Sequence, residues 1–92
     1  MSTDSVVERE FEVRAELGLH ARPAGQFVSL ASRFISEITV GRGGEWVSGC
    51  SILSILSLAA EQGSTLKIRA SGTDAEEAVS ELGSLLEATG PE

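Results

Sequence analysis

Three stretches of the chain alternate apolar and polar side chains, and a period of two is typical of a β-strand with one buried face. These stretches are residues 7–15, 37–40 and 66–71. The glycine-rich segment 41–44 predicts a turn, because glycine adopts positive φ freely. A short further strand is expected directly after this turn, at residues 45–48, which makes four strands in all.

The first and last of these strands carry opposite charges on their polar sides. Glu8 and Glu10 lie on the first strand, and Lys67 and Arg69 on the last. Opposite charges on neighbouring strands stabilise a sheet modestly, so the pattern predicts that these two strands pair. Arg9 is the exception on the apolar side, and we expect it near the start of the strand.

Apolar residues spaced three or four apart predict helices. The first helix starts just after His20, with Pro23 in its first turn, where the missing N–H of proline costs nothing. The second covers residues 52–58, with Ser51 as its N-cap, and Gly63 follows its end. The apolar stripe of the first helix consists of Ala24, Phe27, Val28, Ala31 and Phe34.

A third helix is expected near the end of the chain. Thr73 and Glu76 have the spacing of a capping box, in which each side chain bonds a backbone N–H at the start of the helix. Gly90 and Pro91 are expected to stop this helix. Its apolar face consists of Ala75, Ala78, Val79, Leu82, Leu85 and Leu86.

The predicted order is therefore β-α-β-β-α-β-α. Strands with one apolar face require helices on one side of an antiparallel sheet and water on the other. We accordingly predict an α+β fold, a four-stranded antiparallel sheet with three helices on one face. The length of 92 residues suits one domain spanning residues 1–92, with residues 1–5 frayed.

Charge and composition argue against several classes of partner. The net charge is −7 and the seven Lys and Arg residues are scattered, so we expect neither nucleic acid nor an anionic membrane as partner. Cys50 is the only cysteine, which rules out an internal disulfide. The first residues lack the pattern of a signal peptide, and the longest apolar stretch, residues 52–60, is too short to span a bilayer. A cytoplasmic protein is expected.

His20, the only histidine, lies where a loop meets the start of the first helix. A helix N-terminus presents free N–H groups and partial positive charge, which attract anions. Arg22 adds a cation that can bond two phosphate oxygens. A neutral imidazole here is a nucleophile flanked by donors for a phosphoryl group. From position alone, His20 could equally cap the helix, with Arg22 as a surface charge.

One histidine and one distant cysteine are too few ligands for a metal. No Ser-His-Asp triad or glycine-rich nucleotide loop is visible either. We therefore expect no metal and no cofactor.

The segment GLHARPA, residues 18–24, resembles the active-site motif of the HPr family at every position. These proteins are the histidine-containing phosphocarriers of the bacterial phosphotransferase system. The resemblance extends over about residues 7–87, including the glycine-rich turn and the short apolar helix. It implies an open-faced β-sandwich, in agreement with the predicted order of strands and helices.

The resemblance also implies a function. His20 would accept a phosphoryl group on Nδ1 from enzyme I, which draws on phosphoenolpyruvate, and pass it to an enzyme IIA domain. Arg22 and helix N-terminal amides such as that of Ala21 would stabilise the phosphate. The protein would be a stoichiometric carrier rather than an enzyme, and we expect a monomer. The partners would dock on an apolar patch that includes Ile52, Leu53 and Phe34.

Ser51 matches the regulatory serine of the family, which HPr kinase/phosphorylase modifies in relatives that have it. A phosphate there would place negative charge beside the docking patch, whereas the residues alone also fit a plain N-cap. The chain departs from the familiar pattern at Cys50, where the family usually has a basic or polar residue. Ser29, Ser32 and Ser54 replace lysines, which predicts weaker steering towards acidic partners.

Two other functions stay open at this point. One is a regulatory binding module of a reduced or nitrogen-related phosphorelay that is not coupled to sugar uptake, acting through Ser51 and the apolar patch. The other is a small ligand-binding domain of the ferredoxin-like type, which has a similar order of strands and helices. The order of the strands within the sheet distinguishes the last alternative.

Overall fold

The computed structural model describes residues 5–88, and its helices and strands follow the predicted order. Within these residues, none of the helices has the length and apolar character that crossing a bilayer requires. The strands are β1 (Ser5–Glu12), β2 (Glu37–Arg42), β3 (Glu45–Ser48) and β4 (Thr65–Gly72). The helices are α1 (Ala21–Ala31), α2 (Ile52–Ser57) and α3 (Ala75–Glu87).

The strands form one antiparallel sheet in the order β1-β4-β2-β3. The first strand therefore pairs with the last, as the opposite charges on their polar sides predict. Arg69 Nη2 lies 2.8 Å from Glu8 Oε1, and Lys67 Nζ lies 4.0 Å from Glu8 Oε2. Exposed ion pairs of this kind contribute only about 0–1 kcal/mol each, so they favour this pairing without dominating the stability of the sheet.

One face of the sheet is dry because the three helices cover it. Along β4, Leu66, Ile68 and Ala70 are buried while the residues between them are exposed. α3 contacts β1 and β4, and α1 contacts both other helices. The predicted α+β fold, an antiparallel sheet with helices on one face, is confirmed. The largest fully buried side chains are Phe27, Ile55, Leu66, Ile68, Leu82, Val13, Val40 and Val79.

A glycine inside α3 lets this helix approach β1 closely. Gly83 is buried, and a methyl group at this position would overlap the ring of Phe11. Glycine in a helix interior costs roughly 0.5–1 kcal/mol relative to alanine, so its presence here is explained by the close contact with Phe11.

Arg9 lies on the helix-facing side of β1, but at the fifth of eight positions rather than near the start of the strand. Its guanidinium forms an ion pair with Glu76 of α3. This pair lies at the open edge of the sheet, where both side chains keep contact with water, so an arginine on the helix-facing side does not leave a buried charge unpaired.

The predicted capping box at the start of α3 is wrong, because Asp74 rather than Thr73 is the N-cap. The Asp74 carboxylate does not cap the helix. It accepts hydrogen bonds from the Ser36 hydroxyl at 2.5 Å and from the N–H groups of Ile35 and Ser36 at 2.9 and 3.0 Å. These bonds, the hydroxyl above all, hold the pKa of Asp74 below its ordinary value of 3.8 although desolvation acts against them.

Some predicted boundaries also differ from the structure. β1 ends at Glu12, although Val13 and Ala15 continue the alternation and are buried. Here the alternation of apolar and polar residues correctly indicates which side chains are buried. It does not indicate where the strand ends, because the pairing with β4 stops at Glu12. α1 ends three residues before Phe34. Of the residues predicted to be frayed, only Ser5 is described, and it begins β1. Residues 1–4 and the predicted stop at residues 90–91 lie outside the described residues.

Candidate functional site

The loop that leads to His20 is held against the segment that follows α2. The Leu19 N–H donates to the Ala60 carbonyl at 2.9 Å, and the Gly18 N–H closes a turn onto the Ala15 carbonyl at 2.9 Å. Gly18 has a φ of 75°, and a Cβ there would lie 2.6 Å from the Ala60 carbonyl oxygen. Only glycine satisfies both constraints without strain, so this loop gives His20 a defined position.

His20 is the N-cap residue of α1. Its backbone is extended, with φ −87° and ψ −168°, and its carbonyl accepts the N–H of Ala24 at 2.9 Å. Within the described part of the chain its side chain makes no capping hydrogen bond. His20 thus holds the N-cap position that the capping alternative gives it, although through its backbone carbonyl and not through a side-chain bond to the helix, and the residue is partly exposed.

The first turn of α1 provides donors for an anion. The N–H groups of Ala21 and Arg22 lie in the first turn, where no carbonyl of the helix can accept them, while Pro23 has no N–H to offer. None of the first four residues of the helix is acidic. The positive end of the helix dipole and the exposed Arg22 side chain are therefore not offset by a carboxylate in that turn.

Ser51 has the capping role that its position predicts. Its Oγ accepts the N–H of Ser54 at 3.2 Å, and its carbonyl accepts the N–H of Ile55 at 3.0 Å. The first turn of α2 contains no acidic residue. A negative group on the Ser51 oxygen would consequently lie at the positive end of a short helix.

The predicted docking residues do not all lie together. Ile52 and Leu53, directly after Ser51, are 43% and 80% exposed. Phe34 instead lies in a surface depression beside α3 that also contains Asp74 and Glu77. Because α1 is 11 residues long, or about 16 Å, Phe34 lies beyond the end of the helix that is farthest from His20.

Within residues 5–88, three strongly exposed apolar residues are absent from the predicted docking patch, namely Val6, Leu17 and Ile35. Leu17, three positions before His20, is 69% exposed, and Ile35, beyond the other end of α1, is 79% exposed. Leu17 stands alone between Glu16 and Gly18 and belongs to no periodic pattern. Its only signal in the sequence is that a large apolar side chain occurs within a predicted loop.

No cluster of three His, Cys, Asp or Glu side chains within residues 5–88 is arranged to hold a metal ion. Cys50 is exposed, and its N–H donates to the Ser48 hydroxyl at 3.1 Å. Cys50 therefore lies in the turn that connects β3 to Ser51, and its backbone N–H stabilises this turn.

Comparison with known proteins agrees with this geometry. The chain matches the family model described as the PTS HPr component phosphorylation site over residues 7–88. It is 45% identical over 78 residues to the phosphocarrier protein HPr of Haemophilus influenzae, covering 85% of this chain and 92% of that protein. It is 42% identical over 82 residues to the HPr-like protein Crh of Halalkalibacterium halodurans, covering 89% of this chain and 98% of that protein.

A solved structure gives the same result for the fold. The crystal structure of an HPr from Bacillus anthracis superposes on this chain with a TM-score of 0.86 at 39% identity. The superposition covers 89% of this chain and 98% of that chain. Since the sheet order and the layer of three helices match an HPr structure, the ferredoxin-like alternative is excluded.

Proposed function

This chain belongs to the HPr family of phosphocarriers of the phosphotransferase system, and on that premise we propose that it accepts a phosphoryl group on His20 and passes it to another protein. The observation that supports this proposal most directly is the position of His20 as the N-cap residue of α1, beside the N–H groups of the first turn of that helix. Arg22 lies two residues further on, in the same turn.

The transfer itself needs little from the protein beyond positioning and charge stabilisation. Nδ1 of a neutral His20 forms a bond to phosphorus while the bond between phosphorus and the donor breaks, and the electron pair of that bond stays with the donor. The N–H groups of Ala21 and Arg22, with the Arg22 guanidinium, stabilise the charge on the phosphoryl oxygens. Transfer to the acceptor is the same reaction in the other direction.

We propose enzyme I as the donor and an enzyme IIA domain as the acceptor, with this protein acting as a monomer. A group transferred between two proteins must be presented at a surface, and His20 is partly exposed at one end of the molecule. Ile52 and Leu53 supply apolar area for docking. The resemblance to the family implies lysines at the positions of Ser29, Ser32 and Ser54, so in this chain apolar contact would contribute more to docking than attraction to acidic partners.

A second candidate is a regulatory binding module in a relay that is not coupled to sugar uptake. One observation favours it, namely the similarity to a relative named as an HPr-like protein. In this candidate, HPr kinase/phosphorylase would modify Ser51. The added charge would lie next to Ile52 and Leu53 and weaken docking there.

The test is the intact mass after incubation with enzyme I and phosphoenolpyruvate, before and after mild acid. We expect one added phosphate that acid removes, and none on a His20→Ala variant. A Ser51→Ala variant is the matched control and should take up the phosphate like the wild type. If enzyme I phosphorylates a known HPr but not this chain, the proposal is wrong. An acid-stable phosphate that the kinase adds, and that Ser51→Ala lacks, would support the second candidate.

A further inference from the structure

Five large apolar side chains are strongly exposed within residues 5–88. Single exposed apolar residues are common on protein surfaces and need no explanation by themselves, so their location has to decide whether they have a role. The five are Val6, Leu17, Ile35, Ile52 and Leu53.

Two of these residues lie far from His20. Val6 precedes Glu12 by six positions of β1, a distance of about 20 Å along the strand, and the loop to His20 starts only after Glu12. Ile35 lies beyond the far end of α1, which is about 16 Å long. Leu17 is three residues from His20, so their Cα atoms are separated by at most about 11 Å.

We propose that Leu17 is a docking residue for the phosphoryl donor, and that it contacts an apolar surface of enzyme I beside the transferred group. This inference rests on the proposed function of His20. A protein–protein interface of standard size covers about 800 Å² on each partner, a disc of about 16 Å radius. Leu17 therefore lies within the radius of an interface of this size that is centred on His20.

The structure also holds Leu17 ready for contact. The turn bond from Gly18 to Ala15 and the bond from Leu19 to Ala60 fix the backbone on both sides of it. Because the loop backbone is already fixed, little conformational entropy is lost when a partner docks, and this favours affinity. Turns prefer Gly, Pro, Asn, Asp and Ser, so the backbone conformation does not account for a leucine at this position.

Leu17 adds an exposed apolar side chain on the loop to those at the start of α2. The loop contacts Ala60, which follows α2, and this helix is six residues or about 9 Å long with Ile52 and Leu53 at its start. Apolar side chains thus lie on the loop before His20 and on α2. The donor is the partner that the proposed carrier function requires first, because His20 must be phosphorylated before it can pass the group on.

The experiment measures the initial rate of phosphorylation by enzyme I and phosphoenolpyruvate over a range of carrier concentrations, for Leu17→Ser and for Ile35→Ser. Serine suits a turn, so the Leu17 variant should fold, and equal unfolding midpoints would establish this. We expect Leu17→Ser to raise KM about tenfold, as the loss of one buried leucine would, with kcat within about twofold. Ile35→Ser, equally exposed but distant, should leave both constants unchanged.

Calorimetric titration of enzyme I without phosphoenolpyruvate gives a second readout that does not need phosphorylation. Binding of Leu17→Ser should be about tenfold weaker than that of the wild type. An unchanged KM and unchanged affinity would overturn the inference, as would equal effects of both substitutions or a fall in kcat alone. If the wild type takes up no acid-labile phosphate, the proposed function fails, and the titration still decides whether Leu17 contacts enzyme I.

Discussion

The two ends of the sheet hold their connecting segments in different ways. At the Asp74 end, defined by Ile35, Ser36, Gly72 and Asp74, a carboxylate accepts three hydrogen bonds from the segment that follows α1. At the His20 end, defined by residues 13–22 with Ala60, backbone bonds join Gly18 to Ala15 and Leu19 to Ala60, and the neutral Gln62 amide donates to the Arg14 carbonyl at 3.2 Å. The first end uses a charged side chain for the fold, whereas the second keeps an imidazole and a guanidinium at the surface.

This difference indicates how a small domain can carry a reactive site without a deep pocket. Backbone bonds, a glycine and the buried Leu19 side chain position the His20 loop, so the exposed Arg22 side chain can serve chemistry instead of stability. At the Asp74 end, the side chains of Asp74 and Ser36 form hydrogen bonds that hold the fold together. Substitutions at the two ends should therefore separate phosphoryl transfer from stability.

The largest effect is expected for Arg22→Ala. Loss of one charged donor to the phosphoryl oxygens should slow phosphorylation of His20 about 100-fold, while the free energy of unfolding changes by less than about 0.5 kcal/mol because Arg22 is exposed. Rates with enzyme I and denaturant unfolding measure the two effects. Arg33→Ala, at an exposed position beyond the far end of α1, is the matched control. If both variants lost the same phosphorylation rate, the loss would come from the change in net charge and not from a contact between Arg22 and the phosphoryl group.

Next in size is a pair of glycine substitutions, one at each end. A Cβ on Gly18 would lie 2.6 Å from the Ala60 carbonyl oxygen, and one on Gly72 would lie 2.5 Å from Ser36 Oγ; both residues have positive φ. Each change to alanine should destabilise the fold by about 1–3 kcal/mol. Only Gly18→Ala should also slow phosphorylation, because it displaces the loop before His20.

The control for this pair is Gly25→Ala in α1, where, among the described residues, the added Cβ would meet no atom within 4 Å apart from its chain neighbours and the backbone of the helix itself. This variant should be as stable as the wild type or more stable by up to about 1 kcal/mol. Chemical denaturation of the three variants, with phosphorylation rates under native conditions, provides the comparison. If Gly72→Ala slows transfer as much as Gly18→Ala does, the two ends are not independent.

A smaller effect is expected at Ser51. Ser51→Ala removes the bond to the Ser54 N–H and should cost about 1 kcal/mol of stability. Ser51→Asp keeps an N-cap but adds a negative charge beside Ile52 and Leu53, so it should retain stability and bind enzyme I more weakly. Thermal unfolding and titration measure the two quantities. Weaker binding by Ser51→Ala rather than Ser51→Asp would contradict the charge explanation.

The smallest effect concerns the pH dependence at Asp74. The pKa of Asp74 is lowered in the native state by its hydrogen bonds from Ser36 and Ile35, below the ordinary value of 3.8. Its contribution to stability is therefore complete above pH 3.8 and is lost as the pH falls from there through the lowered native pKa.

Asp74→Asn should accordingly be less stable than the wild type at neutral pH, and the difference should shrink in acid. Urea unfolding of both proteins at neutral pH and below pH 3.8 tests this. Phosphorylation at neutral pH should be unaffected, because Asp74 lies at the end away from His20. If the difference in stability between Asp74→Asn and the wild type grew on acidification, the expected direction of the pKa shift of Asp74 would be wrong.

Much of the fold could be predicted because its causes are local in the chain. The alternation in β4 and the charges on Glu8, Lys67 and Arg69 predict both the strands and the pairing of the first with the last. The proximity of His20 and Arg22 is equally local, since two positions in one helical turn are close whatever the rest of the fold does.

The predictions from sequence are wrong where a side chain could bond either to a residue nearby in the chain or to one that only the fold brings close. Thr73 and Glu76 have the spacing of a capping box, but Glu76 pairs with Arg9 and Asp74 takes the N-cap position. Asp74 bonds to Ser36, 38 positions away. The spacing of residues in the sequence shows only which partners lie nearby in the chain. It could therefore not show that these side chains bond to partners far away in the sequence.

By itself, the sequence determines the order of strands and helices, their apolar faces, and a histidine with an arginine at the start of a helix. Tertiary structure alone decides which apolar residues near that histidine are exposed: Leu17 is 69% exposed, whereas Leu19 is buried in the core. The reason is physical. Periodicity depends on neighbours a few residues away, whereas the surface around His20 is assembled by contacts such as that of Gly18 with Ala60, which only the packed fold brings together.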